Sequence, residues 1–428
     1  MAAEVRPEKG ATPAAAQGAA TAGGPPGRSA DPVRWARQNL FASPLSAASS
    51  VLFGLAVAWV AWRVARFVLV TAEWEIVRRN LTTFMVGRFP RDELWRPVAS
   101  AFTIAATLGL AAGMAAAATA DHARAEGRDP EPETWSSRIR RSWPLLALAA
   151  VLVLLARTPG PLLLVLGLVG TAGVAAVVGR RLPPPVRRFG WALLLAGAVA
   201  AFLCVLGFYG VGWDQWGGLQ LTLFVTVAGI TAAFPLGLLL ALGRRSSLPV
   251  VRAVCTAYIE LFRGVPLITL LLMGQFMIGF FLPRGVTPPS LVTRATISII
   301  VFESAYMAEV VRGGLQAVPR GQVEAAQALG LPAWRTMRSI VLPQALRAVI
   351  PAMVGQFISL FQNTSLLAVL GLLELMEVAR AVTAQPEFVG RGLQSVTLPF
   401  VAFVYWAVSY TMSKESQRLE RSLRVGER

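Results

Sequence analysis

The chain has 428 residues, of which 55% are hydrophobic and only 15% charged, and its mean hydropathy is +0.57. Soluble domains carry roughly 25% charged residues, so this composition excludes a cytoplasmic enzyme, a secreted disulfide scaffold and a disordered chain. An all-α polytopic membrane protein remains, and the net charge of +17 then reads as orienting charge on inner loops, with no nucleic acid as partner.

Residues 1–44 open the chain as an Ala/Pro/Gly-rich tail without an apolar signal core, and this tail is expected to be disordered and cytoplasmic. Ten apolar stretches follow: 45–69, 98–120, 143–156, 162–179, 189–209, 218–243, 265–282, 289–309, 349–371 and 394–412. The third is short and ends at Arg157-Thr158-Pro159-Gly160-Pro161, so 143–179 reads either as two spans or as a re-entrant hairpin. With the N-terminus inside, the inner segments carry 28 Lys or Arg and the outer loops 9. That bias predicts about ten spans with both termini cytoplasmic. The outer loop 70–97 runs against it, with Arg78, Arg79, Arg88, Arg91 and Arg96, and its Trp74, Phe84, Phe89 and Trp95 suggest segments lying on the outer interface.

The chain divides by composition. Residues 45–217 are rich in Ala, Gly and Leu and read as an accessory region of five spans with small residues suited to close helix packing. Residues 218–415 carry polar groups at bilayer depth and a long inner loop, 312–343, so function is expected there; 416–428 form an inner tail. All but two of the 40 basic residues are arginines, and neither Lys9 nor Lys414 follows the glycine-rich stretch a phosphate-binding loop requires. This chain is therefore not expected to hydrolyse ATP itself. His122 and the separated Cys204 and Cys255 do not form a metal-ligand cluster, and no metal site is expected.

The most specific stretch is Glu324-Ala325-Ala326-Gln327-Ala328-Leu329-Gly330, followed after nine residues by Ile340-Val341-Leu342-Pro343. Pro319 is expected to open a short helix and Gly330 to end it in a left-handed cap. Pro332 suits the start of a second helix, which Pro343 is expected to close or kink. Ala325 and Ala326 would give the first helix a smooth face for close approach by another chain, and Glu324 an anchor for a cation or backbone N–H groups.

This pattern resembles the signature of the permease subunits of ABC importers. Trp216-Gly217-Gly218-Leu219 with Thr222-Leu223, Glu260-Leu261-Phe262-Arg263-Gly264-Val265-Pro266-Leu267, and the run Glu303 to Gly314 resemble the polar amino-acid branch of that family. The stretch Gly87 to Trp95-Arg96 resembles the long-form permease of bacterial general L-amino-acid uptake systems. The resemblance implies the transmembrane core of a type I importer in the bacterial inner membrane, bearing an N-terminal extension of extra helices. It implies alternating access without covalent chemistry on this chain. It also implies an ABC ATPase dimer that binds ATP and Mg, so that no cofactor sits on this chain, together with a second permease subunit and a periplasmic amino-acid-binding protein. The length of this chain favours a shorter, different second permease. On the same ground Glu324, Ala325, Ala326, Gly330, Leu342 and Pro343 are expected to dock the ATPase.

Polar groups at bilayer depth are costly and mark pathways. Gln362-Asn363-Thr364-Ser365 stand about midway along 351–371, where the family often shows Lys-Asp-Thr-Ser, so hydrogen bonding replaces an ion pair here. Inter-helix hydrogen bonds alone would also account for such a run. Glu303 lies deep in the eighth span with Tyr306 one turn on, and two roles fit it: holding a substrate ammonium, or pairing with an arginine of a partner subunit. Gln275 is a further pathway candidate. Glu309 and Arg312 read as a helix-end ion pair, and Arg263 as a headgroup or ATPase-interface residue. Two rival readings stand beside transport powered by a separate ATPase: an ion-gradient-driven secondary transporter, which would need matched broken helices, and a non-conducting assembly subunit.

Overall fold

The computed structural model describes residues 39–424 apart from 126, 128–134, 188, 191, 194–195, 198, 201–210 and 213–214. Two compact units are present, Met1–Ala72 and Glu73–Arg428. The first contributes helix α1 (Pro44–Arg66), which continues as a π-turn through Thr71. Ser43 and Ser46 cap its start reciprocally, each side chain accepting from the other's backbone N–H.

The second unit begins with two short helices, α2 (Glu75–Arg79) and α3 (Leu81–Val86). Three apolar helices follow: α4 (Trp95–Ala125), α5 (Trp135–Ala156) and α6 (Pro159–Arg181). Helices α4 and α6 touch backbone to backbone, and a Cβ on Gly109 would stand 2.3 Å from the Ala172 carbonyl. Small residues permit this approach, as the composition of 45–217 suggested. Residues 143–179 form two helices joined at Arg157 and Thr158. The span expected over 189–209 falls largely outside the described residues.

After a short turn of helix at Pro184–Arg187, the α-helices from Gly218 on are α7 (Gly218–Arg244), α8 (Pro249–Gly264), α9 (Leu267–Met277), α10 (Leu291–Ala317), α11 (Arg320–Ala328), α12 (Ala333–Thr336), α13 (Leu342–Asn363), α14 (Leu375–Ala381) and α15 (Gln394–Arg424). Helix α10 is the central one, packed against α7, α8, α9 and α13. Leu221, Val225, Leu271, Ile299 and Leu360 meet in the main core, to which Phe89 and Trp216 also belong.

Among the described residues seven helices are long and apolar enough to cross a membrane, and an eighth span arises if one bent pair counts once. That pair contains the stretch expected as a span over 265–282, which is helical over Leu267–Phe281. The stretch Leu267–Phe281 is joined to α8 at a 105° bend, because Val265 precedes Pro266 and is held extended, at ψ 135°. The span expected over 349–371 is longer. Helix α12 runs through a π-turn, Met337–Val341, into α13 and then a 3-10 turn, Thr364–Leu370, giving 38 continuous residues from Ala333. Pro343 therefore does not close the helix that Pro332 starts. A proline clashes with the carbonyl one turn back, and the wider π-turn before it relieves that clash without breaking the helix.

Candidate functional site

Two groups of residues sit at well separated places on the Glu73–Arg428 unit. The first is the loop between α10 and α13. Pro319 is the N-cap of α11, and the end of α11 forms a Schellman motif in which Gly330 N–H donates to Gln327 O at 2.9 Å and Leu331 N–H to Ala326 O at 3.1 Å. Gly330 takes φ +72°, so the sequence expectation of a glycine-ended helix holds. Glu324, Ala325 and Gly330 are exposed. Ala326 is not: it is 1% exposed and faces inward. Consecutive helix positions lie about 100° apart, so two adjacent alanines do not share one free face. Glu324 and Gln327 border a cavity whose wall also includes Arg245 at the end of α7, and Thr336 and Met337 of the following turn. Leu342 and Pro343 stand apart from α11, at the start of α13, with Leu342 half-buried against Ala345 and Val341 and Pro343 exposed.

The second group lies where α10 meets α13. Glu303 is 1% exposed. Its Oε2 accepts from Gln356 Nε2 at 2.6 Å, while Oε1 is buried without a hydrogen-bond partner. Asn363 lies alongside the same carboxyl. Gln356 and Asn363 are seven residues apart, two helical turns, which puts them on one face of α13. The structure thus joins Glu303 to Asn363 and adds Gln356, which the sequence analysis did not single out.

The other candidates go elsewhere. Tyr306 turns toward α8: its hydroxyl donates to Arg263 O at 3.4 Å and its ring lies under the Arg263 guanidinium. Gln362 reaches Ser409 of α15 at 3.3 Å. Thr364 is buried and donates to Phe361 O at 2.6 Å, and Ser365 donates to Gln362 O at 2.8 Å. These four residues stand at the far end of α13, where the α-helix gives way to the 3-10 turn. Gln275 offers its backbone carbonyl to Arg294.

Glu309 gathers three arginines: Arg312 of its own helix, Arg244 at the end of α7 (3.4 Å) and Arg263 of α8 (3.3 Å). The expected pair with Arg312 is present, and Arg263 is an ion-pair partner as well. Glu374 was overlooked by the sequence analysis. It is fully buried, caps α14 by accepting from Met376 N–H and Glu377 N–H at 2.8 Å, and takes a third hydrogen bond from the Tyr405 hydroxyl at 3.1 Å. Tyr405 also stands 3.4 Å from the Thr364 hydroxyl. Glu374 lies between the described spans, and burial pushes its carboxyl up to about 7 against the opposing pull of those N–H donors. A lone carboxylate inside Leu372-Leu373-Glu374-Leu375-Met376 was the available signal for it.

A family model described as "Binding-protein-dependent transport system inner membrane component" matches residues 233–408. The chain is 42% identical over 263 residues to the "Inner membrane amino-acid ABC transporter permease protein YhdY" of Escherichia coli, covering 60% of this chain and 71% of that one. It is 34% identical over 423 residues to the "Glutamate/glutamine/aspartate/asparagine transport system permease protein BztC" of Rhodobacter capsulatus, covering 92% of this chain and 94% of that one. A solved structure described as "Crystal structure of an amino acid ABC transporter with histidines" is 31% identical, with a TM-score of 0.43, over 47% of this chain and 90% of its own.

Proposed function

Because this chain belongs to the family of inner membrane components of binding-protein-dependent transport systems, we propose that it forms the membrane pathway through which polar L-amino acids are imported. It is a multi-pass membrane transport subunit and not an enzyme; ATP is hydrolysed by a separate subunit. The amino-acid assignment is supported by the relatives, both of which are named as amino-acid permeases over most of their length.

In this reading residues 218–415 are the permease core and 45–217 an accessory region, with both tails on the cytoplasmic side of the bacterial inner membrane. The partners are an ABC ATPase dimer that holds ATP and Mg, a second and shorter permease, and a periplasmic amino-acid-binding protein. The observation that carries the docking role is the exposed, glycine-capped helix α11, with Glu324 and Ala325 on its free side. The ATPase grips this helix. Its closure is passed through α12 and the π-turn into α13 as a rigid-body shift, and α13 carries Gln356 and Asn363 to Glu303. Uptake follows as the α10–α13 contact opens and closes around the solute.

The test is reconstitution of this chain with its ATPase and second permease in vesicles containing ATP, followed by addition of the binding protein and labelled glutamate, glutamine, aspartate or asparagine. ATP-dependent accumulation is the expected result. Accumulation driven by an ion gradient without the ATPase would replace this reading with a secondary transporter.

A further inference from the structure

We propose that the helical cap formed by residues 75–91 is a docking surface for the solute-binding protein, with Arg88 and Arg91 meeting acidic side chains on that protein. The inference rests on the transport function proposed above and assigns a role to a segment that lies outside the permease signature.

The cap is fixed to the rest of its unit. Ile76, Val77 and Phe84 are fully buried, and Phe84 packs edge-on to Phe400 of α15 at 5.1 Å. Asn80 and Gln385 exchange side-chain hydrogen bonds at 2.8 and 3.3 Å, Arg79 pairs with Glu387, and Arg391 with Glu73. At Gly218, φ is +56° and a Cβ would stand 2.4 Å from Phe84 O, so the start of α7 lies against the backbone of α3. A load placed on the cap therefore moves the end of α7 with it.

The cap also lies at the opposite end of α7 from the ATPase-docking loop. Gly218 begins that helix beneath the cap, and Arg245, just past its last residue, borders the cavity beside Glu324. The 27 residues between them span about 40 Å at 1.5 Å per residue. If α11 faces the ATPase inside, the cap faces outward.

The charges on the cap are not all used by the fold. Glu75 takes Arg78 and Arg79, Glu73 takes Arg391, and Glu93 takes Arg96. Arg88 makes no ion pair or hydrogen bond among the described residues, and Arg91 bonds only to the Thr83 hydroxyl, at 3.2 Å. Both are exposed, as is the neighbouring Asp92. Arginines on an outer loop work against the charge asymmetry that orients the chain, and the fold does not need these two. A family dependent on a binding protein supplies a soluble partner on that side, and unpaired cations steer and register such a partner through complementary charge. The route inward is short: Gly218 N–H donates to Leu373 O at 2.8 Å. Glu374 follows, bonded through Tyr405 to the turn that carries Thr364, next to Asn363.

The test uses the assembled importer in nanodiscs of phosphatidylcholine, titrated with its binding protein while ATPase stimulation is followed. The double variant Arg88→Glu/Arg91→Glu should raise the binding-protein concentration for half-stimulation by about tenfold or more, a range within that of close interfacial charge pairs. It should also flatten the salt dependence and leave basal ATPase unchanged. Arg284→Glu, on a different exposed loop, should change none of these. An unaltered half-stimulation in the double variant overturns the proposal. So does an effect that appears only when phosphatidylglycerol is included, which would assign the arginines to lipid headgroups. A wild-type assembly that imports no amino acid would instead refute the transport function, which keeps the two failures distinct.

Discussion

Gln356 and Glu303 face each other across the α10–α13 contact, and the amide of one holds a single oxygen of the other, leaving the second oxygen buried and unbonded. A buried acceptor without a partner costs free energy, and Asn363, alongside the same carboxyl, is the second donor within the chain. Replacing Glu303 by Gln keeps the volume and removes the charge. Uptake by the reconstituted importer should fall at least about tenfold, equivalent to 1.4 kcal/mol, with ATPase assembly unchanged. Gln356→Leu removes the donor to Oε2 and should lower stability by roughly 1–3 kcal/mol, read as a lower Tm in detergent. Full uptake by Glu303→Gln would remove it from the pathway.

Glu324→Lys should abolish co-purification of the ATPase while membrane insertion, followed by protease protection, stays normal. Gly330→Asp should weaken docking as well. A side chain in the left-handed region costs about 1–2 kcal/mol, and Gly330 sits at φ +72°, so the Schellman end of α11 would fray. Retained ATPase in both variants would remove α11 from the interface.

Glu374 predicts an acid-favoured stability. Its carboxyl titrates near 7 in the fold, against an ordinary 4.5. The folded state holds the proton more tightly, so the contribution is fully present below about pH 4.5 and is lost as pH rises through 7. Glu75 has the opposite sign. Hydrogen bonds from Arg78 and Arg79 hold it at about 2, so its contribution is present above pH 4.5 and lost as pH falls through 2. Tm measured from pH 5 to 8 should decline from pH 5 to about 7 in the wild type and level off above that. Glu374→Gln should flatten the decline, and an identical slope in that variant would count against the assignment.

Glu309→Gln should leave Arg244, Arg263 and Arg312 facing one another without their shared anion. Three helices, α7, α8 and α10, lose a common anchor. The expected cost is roughly 1–3 kcal/mol, as for hydrogen bonds to charged groups, measurable as a drop in Tm that added salt partly relieves. An unchanged Tm would show the cluster to be incidental.

Much of this was legible in the chain. The apolar runs located most helices, and the Pro319–Gly330 stretch gave the helix-turn with its cap. The double role of residues 362–365 was less legible, because four consecutive polar residues do not reveal which neighbour each will meet. The fold sends Gln362 to α15, Asn363 to Glu303 and Thr364 to Tyr405. Gln356 was findable as a polar residue two turns from Asn363 on one face. Glu374 was harder, since its meaning depends on Tyr405, 31 residues away in the chain. The bend at Val265-Pro266 falls where the apolar stretch 265–282 begins, as the proline rule allows. Attachment of the 75–91 segment to α7 and α15 depends on contacts of very long sequence separation, for which local pattern gives no signal.

The unbroken helical run from Ala333 to Leu370 has a mechanical consequence. With about 57 Å of axis at roughly 1.5 Å per residue and no loop between its ends, it sets the α11 loop near one end and the buried Glu374 cap near the other on one continuous piece of backbone. On the function proposed above, a displacement of the loop end would be carried to the Glu374 end by that single piece of backbone.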